Sequence, residues 1–136
     1  MLVESKQVLM DVKLRNNKDG IVLAVEFLYD LGYVKGLYIK AMIDYDSVQS
    51  TYLGNGVALI YGPSDYVLKS GVVVIQVSEG VDFDNNNVIM IFGVASNPKD
   101  HMQTLSSIAI ACSNPEHVIE MGKSYTAQNI VDILNS

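Results

Sequence analysis

The sequence is short of the residues that carry much of protein chemistry: among 136 residues there is one cysteine, Cys112, and there are two histidines, His101 and His117. A single cysteine cannot close an internal disulfide. With so few cysteines and histidines there is no cluster at metal-ligand spacing, so no metal or cofactor is expected. No Ser/His/Asp or Cys/His set can be assembled either, since neither histidine sits in a motif of that kind. Positive charge is also scarce: nine Lys+Arg stand against fifteen Asp+Glu, for a net charge of −6, and none of the basic residues cluster. That leaves no electrostatic footprint for nucleic acid or an anionic membrane surface. Long apolar runs are missing. The run Val72 to Val77 is interrupted by Gln76, and all such stretches fall short of the roughly 20 residues needed to span a bilayer. The start MLVESKQVLMD has neither the basic region nor the apolar core of a signal peptide. The expectation is a cytoplasmic protein with no direct membrane insertion.

What is present suits a folded chain. Hydrophobic residues make up 49% and charged residues 18%, far from the composition of disordered chains, and the length is that of one ordinary domain covering residues 1–136. From Asn17 to Leu31, Ile21, Val25, Leu28 and Leu31 recur at helical spacing, with Asn17 as a cap and Gly32 placed to end the helix. A shorter helix is expected over Leu37 to Tyr45. Val57 to Tyr61, Gly71 to Val77 and Val88 to Ala95 are rich in Val and Ile and bounded by Gly, Asn, Asp or Pro, which predicts strands. These runs are apolar on successive residues instead of alternating, so helices should cover both faces of the sheet. In the last third, Asn97-Pro98 and Asn114-Pro115 each place a cap before proline at a first helical position. Met102, Leu105, Ile108, Ala109 and Cys112 then form one expected buried stripe, and a last helix from Ala127 to Leu134 is capped by Ser124 or Thr126. The order of elements predicts an α/β fold: a three-layer sandwich, with one mixed β-sheet flanked by helices on both faces.

Several linked segments carry a resemblance. They are Gly32-Tyr33-Val34, Tyr38-Ile39-Lys40-Ala41-Met42, the run Ser50 to Ala58, Val67 to Val73, Glu79 to Phe83, Phe92-Gly93-Val94-Ala95, and Asp100-His101-Met102-Gln103. In this order and near this spacing, the chain from Asn17 to Leu134 resembles the mannitol/fructose type of enzyme IIA from the bacterial sugar phosphotransferase system. The resemblance implies a cytoplasmic phosphocarrier. Its partners would be a phosphohistidine carrier protein, which donates the phosphoryl group, and the enzyme IIB of a sugar transporter, which receives it.

The family's phosphorylated histidine lies in a motif of the form G-N-G-x-A-x-P-H-G. The matching stretch here is Gly54-Asn55-Gly56-Val57-Ala58-Leu59-Ile60-Tyr61-Gly62, so Tyr61 holds the histidine position. His101 matches the family's supporting histidine. The family's arginine, in a stretch of the form A-M-L-x-R-E, corresponds to Tyr45 within Ala41 to Asp46, and the loop Gly62 to Tyr66 is shorter than the family's usual one.

These differences bear on chemistry. A neutral imidazole nitrogen is nucleophilic near pH 7, whereas a phenol, with an ordinary pKa of about 10, stays protonated there. A phosphotyrosine ester is also a poorer donor than a phosphoramidate. An arginine clamps phosphate oxygens with a planar, always-charged fork, while a tyrosine offers one hydroxyl. Tyr61 is thus expected to be an aromatic plug in a former pocket. His101, near a helix start, could still hold a phosphate or sulfate. His117 reads as a solvated helix residue and Cys112 as a buried small apolar one. Gly54-Asn55-Gly56 fits neither phosphate-loop pattern and needs only to be a tight turn.

Three functions are compatible with these residues. The favoured one is a non-phosphorylated regulatory or binding member of the family, partnered by a regulatory protein or by the phosphotransferase proteins. The others are a working phosphocarrier using His101 and a structural interaction domain unrelated to phosphoryl transfer.

Overall fold

The computed structural model describes residues 3–36 and 49–136. The first helix, α1, spans Asn17–Asp30. Its cap is Asn16, one residue before the expected Asn17: Asn16 holds an extended backbone and its side-chain oxygen accepts from the Asp19 N–H at 3.0 Å. The third helical residue, Asp19, is itself held by Arg15 at 2.9 Å, which favours the earlier register. The helix ends as expected, at Gly32, whose φ of +82° lies in the left-handed region open to glycine. The expected helix from Leu37 to Tyr45 lies outside the described residues.

Among the described residues five strands form one sheet: β1 (Val8–Leu9), β2 (Gln49–Gly54), β3 (Val57–Tyr61), β4 (Gly71–Phe83) and β5 (Asn86–Ala95), in the spatial order β1-β4-β5-β3-β2. β1 runs parallel to β4 and β3 parallel to β5, whereas β2/β3 and β4/β5 are antiparallel. The sheet is mixed, as expected. Two strands go beyond the expectation. β1 is only two residues long, and Thr51 to Leu53 of β2 are exposed, so neither shows an apolar run. β4 also continues past Val77 to Phe83 through a register shift between Gln76 and Val81, where Gly80 takes a φ of +78°. Ser78 and Glu79 face solvent at this irregularity, which is why the apolar pattern stops there.

Successive residues in a strand point to opposite faces, and here both faces are covered. On one face Ala58, Ile60, Ile75 and Ile91 pack with Ala24, and Val73 and Ala95 with Val25, Phe27 and Leu28, all from α1. On the other, Val57, Leu59, Val74, Met90, Phe92 and Val94 pack under α2 (His101–Ala111), α3 (Pro115–Lys123) and α4 (Ala127–Asn135), which contribute Ile108, Val118, Met121, Ile130 and Leu134. The result is a three-layer α/β sandwich. Gln76, the polar interruption in β4, is 2% exposed. Its Nε2 donates to the carbonyls of Met121 and Ser124, each at 2.9 Å, and its Oε1 accepts from the Asp11 N–H at 2.9 Å. A buried amide so fully paired ties the end of α3 and the loop before α1 to the sheet.

The C-terminal helices partly correct the sequence expectation. Asn97 to Asp100 form a turn, closed by the Asp100 N–H donating to the Asn97 carbonyl at 3.0 Å, and α2 begins only at His101. The Asp100 carboxylate accepts from Ser70 Oγ at 2.8 Å and from Asn97 Nδ2 at 3.3 Å, which holds that turn against the start of β4. The buried stripe of α2 is narrower than expected: Ile108 and Cys112 are buried and Leu105 is half-buried, but Met102 is 71% exposed and Ala109 also faces solvent. Asn114 and Thr126 cap α3 and α4, accepting from the N–H groups of Glu116 and Asn129.

Candidate functional site

Because β3 and β5 are parallel neighbours, with Tyr61 opposite Val94, the chain leaves both strands at the same end of the sheet. Crevices outside the carboxyl ends of strands are the usual place for ligands in open α/β sheets. Strand alternation places Tyr61 with Val57 and Leu59 on the α2–α4 face, where it packs against the core at the sheet's end. Ser96 follows directly after β5, and His101 is the first residue of α2. Residues far apart in sequence therefore meet.

The rings of Tyr61 and His101 lie with centroids 5.1 Å apart and planes at 64°, an edge-to-face arrangement favoured by the aromatic quadrupole. Ser96, only 6% exposed, brings its Oγ to 2.8 Å from His101 Nδ1. Among the described residues, His101 Nε2 and the Tyr61 hydroxyl have no hydrogen-bond partner. Beside them is a cavity of about 330 Å³ lined by Tyr61, Gly62, Ser64, Ser96, Pro98, His101 and Met102. No charged side chain is among these lining residues. The walls combine apolar surface from Pro98 and Met102 with hydroxyl and imidazole groups that can hydrogen-bond a ligand.

The other sequence candidates fall elsewhere. Tyr45 lies outside the described residues. His117 is exposed on α3 and lines a separate cavity with Ser107, Ile110 and Ile133. Cys112 is buried, and burial pushes its thiol up to about 12. Gly54-Asn55-Gly56 makes the turn between β2 and β3, with all three residues at positive φ. Asn55 also donates from Nδ2 to the carbonyl of Cys112 at 3.1 Å, so the turn caps the end of α2 as well. Sequence reasoning missed Ser96; its one signal is its position, immediately after the apolar run Val88 to Ala95 and just before the turn that leads to His101. A larger cavity of about 580 Å³ lies along α1 and the loop before it. There Arg15 pairs with Asp19, and Lys13 with Glu79. Among the described residues no group of His, Cys, Asp and Glu is arranged to hold a metal ion, and no helix is long and apolar enough to cross a membrane.

The family model described as "Phosphoenolpyruvate-dependent sugar phosphotransferase system, EIIA 2" matches residues 1–136. The chain belongs to this enzyme IIA family. It is 35% identical over 138 residues to the mannitol-specific phosphotransferase enzyme IIA component of Geobacillus stearothermophilus, covering 98% of this chain and 95% of that relative. The fold matches the crystal structure of IIA mannitol from Escherichia coli with a TM-score of 0.87 at 26% identity, over 98% of this chain and 99% of the other. It matches equally well, with a TM-score of 0.87 at 26% identity and over 98% and 96% of the two chains, the enzyme IIA of a complex with phosphorylated enzyme IIB of the mannitol system from Escherichia coli. This chain is thus an enzyme IIA protein of the mannitol family.

Proposed function

We propose that this enzyme IIA protein does not carry a phosphoryl group at the position its family uses, and that it acts in the cytoplasm as a single-domain regulatory or binding member. The observation that carries this reading is the ring of Tyr61, set edge-to-face with His101 beside a cavity in which no described lining residue is Lys, Arg, Asp or Glu. In this reading Tyr61 occupies the phosphoacceptor position, His101 that of the supporting histidine and Tyr45 that of the arginine. Phosphoryl transfer is catalysed mainly by positioning and by stabilising charge. A phenol at Tyr61 and a second phenol at Tyr45 weaken both. The binding surface for enzyme IIB and for the phosphohistidine carrier protein would survive such changes, so these proteins, or a regulatory protein, are the proposed partners.

A second reading, in which His101 itself accepts the phosphoryl group, draws on one observation: its Nε2 has no partner among the described residues, and His101 lines the cavity. Incubation with phosphoenolpyruvate and the general phosphotransferase proteins, followed by intact-mass analysis, separates the two. The first reading expects no acid-labile label. Stoichiometric labelling of the wild type that vanishes in His101→Ala would replace it with the second.

A further inference from the structure

We infer that Ser96 is a positioning residue that fixes the tautomer of His101, so that Nε2 faces the cavity carrying a proton. The inference rests on the reading that the Tyr61–His101 cavity is the functional site, but its chemistry comes from a different observation. A serine hydroxyl has one proton to give and two lone pairs to accept with. Ser96 is 6% exposed, and among the described residues the only hydrogen-bond partner of its Oγ is His101 Nδ1, at 2.8 Å. If Nδ1 carried the proton and donated to Oγ, the serine proton would have no acceptor among the described residues. Leaving a buried donor unpaired is the costly outcome, whereas an acceptor with a spare lone pair is tolerated. The arrangement that satisfies both groups has Ser96 Oγ–H donating to an unprotonated Nδ1, and a neutral imidazole then carries its single proton on Nε2.

The consequence is chemical. A ring nitrogen that bears the proton has no lone pair available for attack on phosphorus, so neutral His101 enters the cavity as a hydrogen-bond donor. The Tyr61 and Ser64 hydroxyls can add two further donors from the same wall. Those three donors suit a ligand presenting oxygen acceptors, such as a phosphate or a phosphomonoester held without covalent transfer. The placement of Ser96 therefore opposes the use of His101 as a substitute acceptor.

The test reads the tautomer directly. Long-range proton–nitrogen correlation spectra of the ¹⁵N-labelled protein, with His117→Gln to assign the second ring, are recorded at a pH high enough for the ring to be neutral. The wild type is expected to show Nε2 protonated and Nδ1 bare. Ser96→Ala, with its fold checked by the backbone amide spectrum, is expected to lose this preference and give mixed tautomers. A merely structural serine would not change the ring's nitrogen pattern. Nδ1 protonated in the wild type, or an unchanged pure Nε2–H pattern in Ser96→Ala, would overturn the proposal. The wild-type spectrum decides on its own if the variant does not fold. No phosphoryl donor enters the measurement, so its failure is distinct from the failure of the proposed function.

Discussion

The two faces of the sheet are built on different terms. Under α1 the limiting quantity is space: Ala24, Ala58 and Gly93 let helix and sheet approach closely, and a Cβ added at Gly93 would come within 2.8 Å of Val73 Cγ2 and 3.2 Å of Ala24 Cβ. Under α2–α4 the core buries Phe92, Met90 and Met121 fully, and it admits polar groups where they are paired, as at Gln76. At one end of this second face, Tyr61, Ser96 and His101 line a cavity. Chemistry can change at such an end with little cost to the fold. The fold as a whole matches that of IIA mannitol from Escherichia coli, with a TM-score of 0.87.

Phe92 and Gly93 are neighbours on β5 that point to opposite faces, so substitutions there test the contrast most strongly. Phe92→Ala should leave a void and cost about 3–5 kcal/mol, seen as a lower urea midpoint at an unchanged slope; a loss below about 1 kcal/mol would mean that α2–α4 can close over the gap. Gly93→Val should fail in the other direction, by overpacking, at about 1–3 kcal/mol. If it were neutral, α1 would not be as close to the sheet as the Cβ distances require.

Cys112 sharpens the comparison through pH. Its folded thiol is raised from the ordinary 9.0 to about 12 by burial alone, so the unfolded chain loses this proton first as pH rises. Its contribution to stability is then complete below pH 9 and lost as pH rises toward 12. Cys112→Ala should flatten the alkaline fall of stability over that window, and native Cys112 should resist a thiol reagent that reacts at once in denaturant. Equal reactivity in both states would contradict its burial.

Smallest is the effect expected at the open end. Tyr61→Phe removes a hydroxyl with no hydrogen-bond partner among the described residues, and stability should stay within about 0.5 kcal/mol. A larger loss would show that the hydroxyl is held by a partner and that the rim is part of the core's support.

The same contrast explains what could be read from the sequence. Strands buried on both faces announce themselves by successive Val and Ile, so β3, β5 and the first half of β4 were legible, as were helices with a cap and a stop, such as α1 and α3. Half-exposed strands were not: β2 shows solvent its Thr51, Tyr52 and Leu53, and β1 is too short to carry a pattern. Asn97-Pro98 resembles a helix start but opens a turn, because Asp100 is drawn to Ser70 in a contact that no local pattern records. Tyr61 and His101 were legible as candidates only through the family's motifs; their meeting depends on β3 and β5 running parallel, which a sequence does not display. Ser96 had no motif at all.

In the proposed function, Tyr61 stands where the family carries its phosphoryl group. The most direct measurement pairs the wild type with Tyr61→His combined with Tyr45→Arg, each incubated with phosphoenolpyruvate and the general phosphotransferase proteins and then weighed intact. The expected result is an unlabelled wild type and an acid-labile phosphoryl group on position 61 of the double variant. A wild type labelled as fully as the variant, or a folded double variant that gains no label, would contradict it.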